Sequence, residues 1–107
     1  MIPQYSLYLA GNGRQVVSTA GTAVPLSTTS VPCCMVAVVC ISTNTEAIVI
    51  GTSTAKATTG ANRSGITIWP GSTAPLHTFN CTDLANVYID GLSTEGISFV
   101  YYSITNP

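Results

Sequence analysis

A chain of 107 residues with three Lys/Arg, four Asp/Glu and one His carries little material for acid–base, metal or phosphate chemistry. Proton transfer and metal binding need titratable groups that converge, whereas Arg14, Glu46, Lys56, Arg63, His77, Asp83, Asp90 and Glu95 are scattered along the sequence. A net charge of -1 removes the electrostatic case for nucleic acid and for a polybasic membrane patch.

The length predicts one domain, residues 1–107, burying roughly 60–70% of the surface its unfolded chain exposes. Met1-Ile2-Pro3-Gln4 leads into no basic-then-apolar pattern, so no signal peptide is expected and synthesis is expected in a cytosol. The longest apolar run, Val31 to Ile41, is too short to cross a bilayer and contains Pro32. The sequons Asn62-Arg63-Ser64 and Asn80-Cys81-Thr82 then carry no expectation of a glycan.

In chain order, Tyr5 to Ala10 alternates like a strand, and Gly11-Asn12-Gly13 reads as a hairpin turn into a second strand, Arg14 to Ser18. Val24 to Ser27 is a short strand that Pro25 places at an edge. Met35 to Ser42 reads as the central strand. Both of its faces are apolar, Cys34, Val36, Val38 and Cys40 against Met35, Ala37, Val39 and Ile41, so each face needs a cover. The expected cover of the second face is a neighbouring subunit, another protein or a loop.

Ala47 to Gly51 is expected to pair with that strand through a turn at Thr43-Asn44-Thr45. Thr52 to Ser64 reads as an exposed loop, and Gly65 to Trp69 as a strand. Pro70-Gly71 suits a type II turn leading to Leu76–Cys81. Asn86 to Asp90, a turn over Gly91–Thr94, and Gly96 to Ile104 close the chain. Helical periodicity is absent. The reading is all-β: a single-domain antiparallel β-sandwich, with a jelly roll among the candidate arrangements. Uncharged, β-prone segments such as Val36 to Ile41 suit an assembled state better than a dilute monomer.

The reactive groups support no constellation. Asp90 and Glu95 flank one predicted turn, where acids ordinarily cap backbone amides, although two carboxylates there would be near glycosidase spacing. His77 has no nucleophile elbow to serve, and Gly11-Asn12-Gly13 lacks a third glycine and a helix. Cys33, Cys34, Cys40 and Cys81 have the options of pairing, metal ligation or packing. Strand spacing puts Cys34 and Cys40 roughly 20 Å apart, and His77 and Cys81 roughly 13 Å apart. The reading is therefore reduced thiols acting as small hydrophobes, with no metal and no cofactor. Trp69 and the five tyrosines serve either as core and interface residues or as a sugar-stacking platform.

Three stretches carry a resemblance: Ser18-Thr19-Ala20-Gly21-Thr22-Ala23-Val24-Pro25-Leu26-Ser27; Ile48-Val49-Ile50-Gly51; and Val87-Tyr88-Ile89-Asp90-Gly91 with Glu95-Gly96-Ile97-Ser98-Phe99-Val100-Tyr101-Tyr102. Together they resemble small tailed-bacteriophage virion proteins, the head decoration, cement or minor structural proteins. The resemblance spans residues 18–102 and implies a non-enzymatic β-sandwich on the outer surface of a capsid, made in the host cytoplasm. Its implied partners are the major capsid protein and its own copies, commonly as trimers, and it brings no catalytic residues. Ile2, Tyr5, Leu7, Tyr8 and Arg14 are the expected capsid or subunit contacts. Residues 1–9 serve either as a docking arm or as an ordinary first strand. The alternative function is a carbohydrate- or host-surface-binding module of a fibre or appendage.

Overall fold

Short segments rich in Val, Ile and Thr form β-strands because branched side chains pack well on a pleated surface. The computed structural model, which describes residues 6–57, 63–70 and 76–105, arranges them as eight strands. These are β1 (Ser6–Val16), β2 (Val24–Pro25), β3 (Met35–Cys40), β4 (Ile48–Gly51), β5 (Ile66–Ile68), β6 (His77–Asn80), β7 (Tyr88–Asp90) and β8 (Gly96–Thr105). A 3-10 turn, Leu84–Asn86, precedes β7.

The strands make two four-stranded antiparallel sheets, ordered β1-β8-β3-β6 and β2-β7-β4-β5. The first strand pairs the last, the second the seventh, the third the sixth and the fourth the fifth. The chain is thus one long hairpin rolled up until β3 also meets β8 and β4 also meets β7. That winding is a jelly roll. Between the sheets Val36, Val38, Cys40, Ile97 and Phe99 from one side meet Ile48, Ile50, Ile68 and Ile89 from the other, and Val17, Leu26, Cys33 and Leu84 close the ends.

Several local pairings expected from the sequence give way to this long-range winding. The predicted turn at Gly11-Asn12-Gly13 is the middle of the unbroken strand β1, which runs beside β8 along its whole length. The glycines serve close approach instead of reversal. Gly11 and Gly13 lie opposite Tyr101 and Phe99, whose rings occupy the space where side chains would stand; a Cβ on Gly13 would lie 2.6 Å from Phe99. A bulge between Leu9 and Gly11 then reverses the parity of the strand. It puts Leu7, Leu9, Asn12 and Arg14 on the same face.

The other corrections have one cause: successive strands mostly belong to different sheets. Ala47–Gly51 does not pair with the Met35 strand, since β4 lies in the opposite sheet between β5 and β7. Gly91–Thr94 crosses from one sheet to the other instead of closing a hairpin. Part of the Thr52–Ser64 loop is ordered, with Lys56 bridged to Ser64 and Ala55 2% exposed. Ile2, Tyr5, Asn62 and the Gly71 half of the predicted Pro70-Gly71 turn lie outside the described residues.

Candidate interaction surface

Every sandwich has two outer faces, and this one treats them differently. On the β2-β7-β4-β5 sheet, outward-facing Val49 is fully buried and its neighbour Asp90 is 1% exposed. The cover is the chain's own loops. Asp90 accepts hydrogen bonds from the Gly21 amide (2.9 Å) and the Ala57 amide (2.8 Å), while Lys56 Nζ donates to the Gly21 carbonyl (2.7 Å). One carboxylate therefore pins two loops over β4 and β7. The two-sided burial expected of Met35–Ser42 holds only in part, with outward Ala37 3% exposed but Met35 and Val39 half-buried, and is complete at β4, where Ile48, Val49 and Ile50 are at most 3% exposed.

On the β1-β8-β3-β6 sheet, the register directs Leu7, Leu9, Arg14, Met35, Ala37, Val39, Val100, Tyr102 and Ile104 outward, and of these only Ala37 is buried. Leu7, Leu9 and Ile104 are half or more exposed, and Met35 and Val39 are half-buried. Arg14 is the single charged side chain on this face among the described residues. Beyond Tyr102, β8 has left β3 and pairs with β1 alone through Ser6, Leu7 and Tyr8. A two-stranded ribbon thus extends past the sandwich, and the molecule measures 51 × 28 × 23 Å.

Tyr8 lies on the opposite face of that ribbon from Leu7 and is also exposed. Arg14 is far along the same strand, beside a shallow depression of about 470 Å³ that it shares with Ala37, Val39, Leu76 and Val100. Of the expected contacts, then, Leu7, Tyr8 and Arg14 are surface residues of β1, spread along it and not gathered into one spot. Leu9, within the 1–9 segment offered as a docking arm, is exposed beside them, and Ile104 on the partner strand is the exposed residue that the sequence reading missed. Its signal was the continuation of apolar alternation to the very end of β8, past the last residue that β3 can cover.

Asp83, Asp90 and Glu95 are committed to backbone. Glu95 accepts from the Thr45 amide (2.8 Å), the Thr45 hydroxyl (2.6 Å) and the Glu46 amide (3.0 Å). Burial opposes its ionisation, but these donors outweigh burial and hold the carboxyl below its ordinary range. Asp83 caps the 3-10 turn; the Ser30 hydroxyl and the Ala85 and Val31 amides hold its carboxyl low as well. Asp90 and Glu95 bind different backbone segments, as turn acids do, and form no dyad.

A cleft of about 400 Å³ gathers Glu46, Arg63 and Asp90, but both oxygens of Asp90 are occupied in holding the loops. His77 stacks on Phe79, with ring centroids 6.3 Å apart. Trp69 is 56% exposed, with the Arg63 guanidinium 5.9 Å from the ring centre. All four cysteines are free. A bend at Cys34 turns Cys33 into the core, so the alternation expected of Cys34 and Cys40 is broken there.

No family model matches the chain, and neither a curated protein nor a solved structure matches it. The surface chemistry alone carries the functional argument. The open face is roughly 15–20 Å wide and, along β1, up to about 37 Å long, which is of the order of one partner's share of a standard protein interface. Its composition suits packing against another protein: aliphatic and aromatic groups with little charge to desolvate.

Proposed function

We propose that this chain is a non-enzymatic virion structural protein of a tailed bacteriophage, a decoration or cement protein on the outer surface of the head. Its partners are the major capsid protein and further copies of itself, with a trimer as the favoured assembly. The observation that carries the reading is the apolar outer face of the β1-β8-β3-β6 sheet, exposed among the described residues at Leu7, Leu9 and Ile104 on the ribbon that extends from it. Contiguous exposed apolar surface of this kind marks an interaction site. Two further points support it. The jelly roll is a wind used by viral capsid domains, and Asp83, Asp90 and Glu95 are spent on holding loops and turns. Repetition of a modest interface around an oligomer raises avidity through effective concentration, so no single contact has to be strong.

The test is reconstitution. Heads lacking the protein are mixed with soluble chain, sedimented and heated. The expected result is co-sedimentation and restored heat resistance, with Leu7→Ser/Leu9→Ser protein failing at both while keeping its own melting temperature. Absence of the polypeptide from purified virions overturns the proposal.

A second reading rests on Trp69, whose exposed ring beside Arg63 is a stacking surface for a sugar on a fold that lectins also use. Quenching of Trp69 fluorescence by host polysaccharide, with no head binding, selects that reading.

A further inference from the structure

We propose that Cys33 and Cys81 are a latent disulfide, closed when the protein meets a low-molecular-weight disulfide, and that the bond ties the entrance of β3 to the exit of β6. The two Sγ atoms are 3.2 Å apart, so roughly 1.2 Å of approach reaches bonding distance, within the range of small side-chain rotations. Backbone on both sides is already fixed. The Cys33 amide donates to the Thr82 carbonyl and the Cys81 amide to the Cys34 carbonyl, both at 3.1 Å, and Pro32 is bridged to Asp83.

Access exists as well. A depression of about 410 Å³ is lined by Pro32, Cys33, Cys34, Cys81, Thr82 and Ser103. The third thiol is diverted, because Cys34 Sγ donates to the Tyr102 carbonyl at 3.3 Å. Among the described residues no three Cys, His, Asp or Glu side chains converge on a metal position, so the pair is suited to redox closure and not to ligation.

Closure takes two exchanges. One thiolate of the pair attacks a sulfur of the small disulfide, forming a mixed disulfide and expelling a small thiolate, which takes a proton. The neighbouring cysteine, its own proton lost to solvent, then attacks the protein sulfur and expels the second small thiolate. Two protein thiols are oxidised and one small disulfide is reduced to two thiols. Burial, followed by the contact with Cys33, pushes the Cys81 thiol up to about 12. Exchange is therefore slow at neutral pH and quickens as pH rises.

This inference stands apart from the virion reading; if that reading also holds, release from a reducing cytosol supplies the change of conditions. The experiment uses the full chain and oxidised glutathione at mildly alkaline pH. Of the four thiols, two are expected to disappear together, and a non-reducing peptic map should join the peptides of Cys33 and Cys81. The melting temperature should rise by on the order of 10 °C and fall back with reductant. Cys34→Ser protein should behave the same way, whereas Cys81→Ser protein should keep glutathione or a free thiol on Cys33. Four thiols surviving in the native chain, a stable glutathione adduct on the native pair, or a link mapped to Cys34 each overturns the proposal. The native-chain map decides even if a variant fails to fold.

Discussion

The two outer faces of this sandwich are made from similar β-strands and differ in what covers them. Over β4 and β7 the chain folds its own loops back and anchors them on a buried carboxylate, Asp90. Over β1, β8 and β3 the described residues leave Leu7, Leu9 and Ile104 exposed and Val39 half-buried. The covered face contributes to stability, and the open one is the surface on which the proposed association rests. An apolar strand face therefore has two resolutions, and one polar residue at the right register selects between them.

The largest stability effect tests the covered face at its anchor. Asp90→Ala leaves the Gly21 and Ala57 amides without acceptors, and should cost about 2–4 kcal/mol in urea unfolding. Amide exchange should quicken first at residues 52–57. The next test sets equivalent side chains against each other. Val49→Ala, at a fully buried position, should cost roughly 1–2 kcal/mol, while Val39→Ala, on the open face, should cost under about 0.5 kcal/mol. Equal losses at both positions would mean that the faces are not distinct.

Smaller again is Leu7→Ser with Leu9→Ser. Both side chains are more than half exposed, so stability should change by less than about 0.5 kcal/mol. Association should fall, read by sedimentation of the chain alone at high concentration and with heads. Truncation of residues 1–9 should likewise weaken head binding more than it lowers the melting temperature; equal loss of both would assign the segment to the sandwich.

The gentlest perturbation is acid. Glu95 and Asp83 have carboxyls held below their ordinary values by hydroxyl and amide donors. A carboxylate of that kind contributes stability that is fully present above its unfolded-state pKa and is lost as pH falls through its folded one. The urea midpoint should therefore stay level from neutral pH to about pH 5 and decline below it. Glu95→Gln should flatten part of that decline, and an unchanged slope in this variant would deny Glu95 its role.

The strands were legible in the sequence because alternation is local: Tyr88–Asp90 and the long run from Gly96 announce themselves. The expected outer positions Leu7, Tyr8 and Arg14 are also surface residues of β1. Pairing was less legible. Gly11-Asn12-Gly13 carries every local mark of a reversal, yet Phe99 and Tyr101, more than eighty residues away, claim the space above its glycines. The approach of Cys33 to Cys81 escaped for the same reason, since 48 residues separate them.

Composition and alternation by themselves determined that this chain is all-β, weakly charged and built as a sandwich, because those properties follow from side chains and their immediate neighbours. Tertiary structure decided which strand meets which, which apolar face acquires a cover and which acids are spent holding loops. Those outcomes depend on long-range register, where one bulge reverses the parity of a strand and one carboxylate joins segments 36 residues apart, Gly21 and Ala57.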